Sequence, residues 1–201
     1  MTDFSAPFLG TAYYPEDWPV TLVDEDIAKM KESGVRVARI AEFAWDKMEP
    51  EEGVFSFGWL HYVVDKLAAA GIGVVLGTPT ATPPLWMAQK YPDALKLNEN
   101  GTRVSHGARR NYCSNHPDYQ RLSLRVVEAM GREFGHDPAV IGWQLDNEIY
   151  SFGGCVCDCC KNHFHAYLRK KYQNIDALNA AWNCGVFSQT YPSFDDVVIP
   201  I

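Results

Sequence analysis

No uninterrupted apolar run in the 201 residues approaches the length that spans a bilayer, so a membrane protein is not expected. The opening stretch, MTDFSAPFLG, lacks a basic segment followed by an apolar one, which makes the cytoplasm the expected location. Positive charge is scarce as well: 18 Lys and Arg face 25 Asp and Glu, a net charge of -7, and no basic stripe stands out. Neither a nucleic acid backbone nor an anionic membrane is an expected partner. A glycine-rich phosphate loop is missing after the first apolar run, which argues against a dinucleotide-binding fold.

What is present is a soluble-protein composition, 47% hydrophobic and 21% charged, with enough apolar material for a core. Six Trp and ten Tyr supply flat apolar surfaces of the kind that sugars and peptides use, although both residues also serve as core. Six cysteines do not read as disulfide staples, because four of them fall within the short stretch GCVCDCCKN.

Strand-like runs alternate with amphipathic helical ones. Strands are expected over Phe8–Tyr13, Val35–Ile40, Ile72–Thr78 and Val140–Leu145. Helices are expected over Asp24–Ser33, Gly58–Ala70 and Asp118–Phe134, each followed by a glycine stop. The segment 79–117 is poorly periodic apart from a short helix at Leu85–Lys90, and a connection of that length is usually functional. Helices over Phe164–Tyr172 and Ile175–Trp182 follow the cysteines, with a loop-like tail behind them.

Four βα units in series require a parallel sheet. Polar and aromatic residues collect after each expected strand: Tyr13 and Tyr14; Glu42, Phe43 and Trp45; Thr80 to Trp86; Asn147 and Glu148. Chemistry on the C-terminal ends of several strands is the habit of a (β/α)8 TIM barrel, of which about the first four βα units are expected here, since a full barrel takes roughly 250 residues.

Glu148 closes the strand-like VIGWQLDNE, beside Asn147 and just after Trp143 and Gln144. A carboxyl group in such surroundings can be held protonated near neutral pH and act as a general acid, then as the base that activates water. A solvated loop carboxylate is the plain alternative. Arg109 or Arg110 can offer a fork to a carboxylate or to vicinal hydroxyls, or be a surface arginine. Glu42 and Trp45 can line a pocket, and Glu42 can equally neutralise Arg39 or Arg36.

Cys155, Cys157 and Cys160 form C-x-C-x2-C, and Cys113 in RRNYC completes a set of four. Four thiolates suit a structural zinc ion, with Cys159 an adjacent spare and Cys184 more suited to packing. Reduced thiols that ligate nothing are the plain alternative.

Taken in order, GTAYYPEDWP, RIAEFAWDKMEPEEGVFSFGWLHYVVD, TPTATPPLW, RRNYC, WQLDNE and CVCDCC resemble the N-terminal barrel of the glycoside hydrolase family 42 β-galactosidases over nearly all 201 residues. The resemblance implies a retaining hydrolase of terminal non-reducing β-D-galactosyl residues, or of α-L-arabinopyranosides, in a protein that forms homotrimers. It implies Glu148 as acid/base, Asn147 and Arg109 as substrate-binding residues, and Cys113, Cys155, Cys157 and Cys160 as zinc ligands. Family members are several hundred residues long and draw their nucleophile from a late barrel strand. Residues 1–201 are therefore expected to be the N-terminal half of a catalytic domain, a fragment or a chain complemented by a partner, and inactive alone. The contrasting expectation is a non-catalytic sugar-binding or zinc-stabilised structural module.

Overall fold

The computed structural model describes residues 7–149 and 154–200. The chain divides into two compact units, one of residues 1–92, 108–110 and 121–150, the other of residues 93–107, 111–120 and 151–201.

The first unit holds four parallel strands: β1 (Leu9–Ala12), β2 (Val35–Ile40), β3 (Gly73–Gly77) and β4 (Val140–Gln144). Their spatial order is their sequence order, β1-β2-β3-β4. A doubly wound sheet reverses direction at its first strand, whereas a barrel adds each strand beside the last. Helix α1 (Val23–Glu32) carries three acids in its first turn and lysines in its last, matching the helix dipole, and Gly34 stops it at φ +77°. A four-residue helix, α2 (Trp45–Met48), follows β2. It was not anticipated, being too short to show a periodicity.

Helix α3 (Gly58–Ala69) buries Leu60, Val63, Val64 and Leu67. These residues join Ile27, Ala38, Ile40, Val74, Leu76, Met130 and Phe134 in one core. Each such aliphatic side chain contributes roughly 1.5–3 kcal/mol on burial. Helix α4 (Leu85–Lys90) sits where expected, and α5 (Pro117–Phe134) buries Leu122, Val126, Met130 and Phe134, the spacing that its sequence displays.

The second unit contains α6 (Asp158–Tyr172) and α7 (Ile175–Trp182). Helix α6 starts six residues earlier than its apolar periodicity indicates, because Cys157 takes the N-cap position and Asp158 the acidic first turn. Leu168, Leu178, Cys184 and Val197 form this unit's core, flanked by Phe164, Tyr172 and Phe194, so Cys184 is a packing residue. Asn174 caps α7 by accepting the Ala177 N–H at 2.8 Å, and Asn183 ends it in the left-handed region.

Candidate active site and thiol cluster

The C-terminal ends of the strands gather the polar residues of the first unit. Arg109 Nη2 meets Glu148 Oε2 at 2.9 Å, and the Arg109 guanidinium lies 5.9 Å over the Phe43 ring. Phe43, just past β2, stacks on Tyr14, just past β1, at 5.6 Å. Arg39 pairs with Glu42 at 2.8 Å and reaches the Tyr14 hydroxyl at 3.4 Å. Glu42 is fully buried, and Gly77 makes room for it: a Cβ there would stand 2.4 Å from Glu42 Cβ.

The Asp146-Asn147-Glu148 turn is bent tightly. Asp146 and Glu148 both have positive φ, +58° and +46°, and Ala41, Ala108 and Arg110 share that region. Non-glycine residues held there cost of order 1–3 kcal/mol each and cluster where the surrounding contacts over-determine a functional geometry. The contacts are visible. Thr78 Oγ1 accepts the Asp146 N–H at 2.7 Å, Gln144 Nε2 donates to Asp146 O at 2.8 Å and to Asn147 Oδ1 at 3.2 Å, and Arg110 binds Asp146 Oδ1 at 2.9 Å and the Asn147 carbonyl. Asn147 is only 7% exposed, while the Glu148 side chain is 54% exposed. The turn thus buries the amide and presents the carboxyl.

Glu148, Asn147 and Arg109, singled out from the sequence, therefore lie at one strand mouth. Trp45 does not line it: the indole is fully buried and donates to Glu49 Oε2 at 2.8 Å. The sequence left open which arginine Glu42 would meet; it is Arg39. The Arg110–Asp146 pair and the Tyr14–Phe43 platform went unforeseen, because no local pattern links residues 36 or 29 positions apart.

In the second unit, the sulfurs of Cys113, Cys155, Cys157 and Cys160 all lie within 4.8 Å of one another. Cys113 Sγ is 3.4 Å from Cys157 Sγ and 3.3 Å from Cys160 Sγ, and none of the four is in a disulfide. Sulfurs about 2.3 Å from one tetrahedral ion stand about 3.8 Å apart, so the set fits a metal with a small expansion. Burial pushes the Cys113 thiol well up, with the Cys160 and Cys157 thiols adding to it, and burial pushes Cys160 up to about 11. Burial also raises Cys157, but the Cys160 backbone amide and three neighbouring thiols outweigh it, and its net shift is downward. Thiolates are the form in which such a set would hold a cation, so metal uptake there would release protons. His116 and His163 serve as hydrogen-bonding partners of Asp118 and Asn115, not as members of this cluster.

Comparison with known proteins decides the family. The β-galactosidase model of glycoside hydrolase family 42 matches residues 12–201. The chain belongs to that family. It is 42% identical over 192 residues to β-galactosidase YesZ of Bacillus licheniformis and 43% identical over 194 residues to a β-galactosidase of Thermus thermophilus. Those alignments cover 95% and 96% of this chain but 29% and 30% of the relatives. The solved β-galactosidase of the Antarctic haloarchaeon Halorubrum lacusprofundi superposes with a TM-score of 0.91 at 39% identity, covering 96% of this chain and 29% of that one. The chain thus spans about 30% of the length of the relatives it matches, and the four-stranded parallel sheet corresponds to the N-terminal part of their barrel. Among the described residues, no helix is long and apolar enough to cross a membrane.

Proposed function

We propose that the protein is a retaining β-galactosidase, releasing terminal non-reducing β-D-galactosyl residues, with Glu148 as its general acid/base. The observation that carries this reading is the Arg109–Glu148 contact at 2.9 Å on the end of β4, in a chain of this family. The Glu148 carboxyl protonates the departing glycosidic oxygen and later takes the proton of the water that releases the sugar. Arg109 and Asn147 bind the galactosyl hydroxyls, and Arg110 holds the turn that aims Glu148. A retaining mechanism needs a second carboxyl about 5–5.5 Å from the first. We assign that nucleophile to the part of the relatives' length that residues 1–201 do not span.

Cys113, Cys155, Cys157 and Cys160 hold one structural zinc ion in this reading. A zinc ion bound there would supply a structural tie between these loops and leave no position for substrate. Four free thiols are best kept in a reducing compartment, which favours the cytoplasm. A homotrimer is proposed for the full-length protein from its family, and light scattering tests it: a monomer at micromolar concentration would oppose it.

The deciding experiment is Glu148→Gln in the full-length protein. Turnover of an aryl β-D-galactoside with a poor leaving group should fall about 10²–10⁴-fold while the fold melts as before. Turnover within a few-fold of the parent would remove Glu148 from the role. Galactose binding without turnover in the parent would identify a sugar-binding module instead.

A further inference from the structure

Two residues that are not cysteines, Leu97 and Asn115, donate to thiols of the cluster. The Leu97 backbone N–H points at Cys155 Sγ at 3.4 Å, and the Asn115 side-chain Nδ2 donates to Cys160 Sγ at 3.4 Å. Asn115 is held in turn, with His163 Nδ1 standing 3.0 Å from Asn115 Oδ1. Asn115 lies two residues beyond Cys113, and His163 lies on the first turn of α6 after Cys160.

Chemistry links the orientation of the Asn115 amide to the tautomer of His163. An amide oxygen only accepts and an amide nitrogen only donates. With Nδ2 toward sulfur, Oδ1 faces the imidazole, so His163 Nδ1 must carry the proton. If the imidazole carried its proton on Nε2, the amide would turn over and set its oxygen against Cys160, where it repels a thiolate but suits a thiol. A divalent ion surrounded by four thiolates leaves excess negative charge on the sulfurs, and N–H groups aimed at them disperse it.

We propose that His163 and Asn115 form a positioning relay for the metal centre, in which the His163 Nδ1–H orients the Asn115 amide and the amide steadies the Cys160 thiolate. The relay rests on the reading of the thiol cluster as a metal site. His163 is not a ligand here; its partner is the amide.

The test uses the full-length protein, with zinc affinity measured by competition against a chromogenic chelator. Asn115→Ala should weaken zinc binding about 10–100-fold, and Asn115→Asp, which sets a carboxylate against the sulfur, at least as much. His163→Ala should weaken it less, and should add nothing in the Asn115→Ala background, because its effect passes through the amide. With Co²⁺ in place of zinc, the thiolate charge-transfer bands should move to longer wavelength in Asn115→Ala, since a sulfur without its N–H donor gives up charge more readily. That shift is specific to the sulfur and would not follow from a mere loosening of the loop. The nitrogen spectrum of His163 should show a proton on Nδ1 in the loaded protein. Wild-type affinity and unmoved bands in Asn115→Ala would overturn the relay while leaving the metal site intact. A parent protein that takes up no metal under reducing conditions would overturn both.

Discussion

Glu16 gives the sharpest stability test. It lies just beyond β1, only 6% exposed, and neither carboxyl oxygen has a hydrogen-bond partner. The nearby Lys47 ammonium donates to the Glu16 backbone carbonyl instead. Burial therefore pushes the Glu16 carboxyl from 4.5 up to about 7, with its own backbone N–H and the Lys47 charge partly opposing it and Asp17 and Glu42 adding repulsion. The folded state then holds this proton more tightly than the unfolded chain. The sign follows from linkage: the contribution to stability is complete below the unfolded pKa of 4.5, declines as pH rises through the window to about 7, and stays lost above it. Integrated from about pH 5 to about pH 8, the loss comes to roughly 2.5 kcal/mol. Glu16→Gln keeps the shape and removes the ionisation. The difference in unfolding free energy between variant and parent should move by that amount in favour of the variant across the same interval. Urea unfolding of the full-length protein, followed by tryptophan fluorescence at both pH values, measures it, and titrations common to the two proteins cancel in the difference. A difference equal at the two pH values would refute the argument.

Gly77→Ala should destabilise by about 1–3 kcal/mol, read as a lowered melting temperature, because the new Cβ would stand 2.4 Å from Glu42 Cβ and 2.8 Å from its Cα. An unchanged melting temperature would mean that the β2 loop gives way freely. Arg125→Met should cost about 3–5 kcal/mol in chemical denaturation, since it leaves the fully buried Glu49 carboxylate without its cation; Arg125→Met with Glu49→Gln should recover part of that. Cys157→Ser should lower zinc content from one ion per chain in elemental analysis, and full retention would point to Cys159 as a replacement ligand.

The parallel strands were legible because buried β runs and glycine stops are local signals, and every expected strand appears within a residue or two of its place. Helix α2 and the first turn of α6 were not, since four residues carry no period and a cysteine at an N-cap does not look like a cap. The candidate site divides the same way. Glu148, Asn147 and the C-x-C-x2-C spacing can be seen in a line of text. What holds them cannot: the Asp146–Glu148 turn keeps its left-handed residues through Thr78, 68 positions away, and Arg110, 36 away.

That difference has a consequence for reading such chains. Glu148 is displayed at 54% exposure beside an Asp146 that is tied on both sides, by its N–H to Thr78 and by its carboxylate to Arg110. The turn before Glu148 is held in a costly backbone shape by Thr78 after β3, Gln144 at the end of β4 and Arg110. The stored strain marks the position as one that the fold maintains at expense, and the chemistry assigned to Glu148 supplies a reason for the expense.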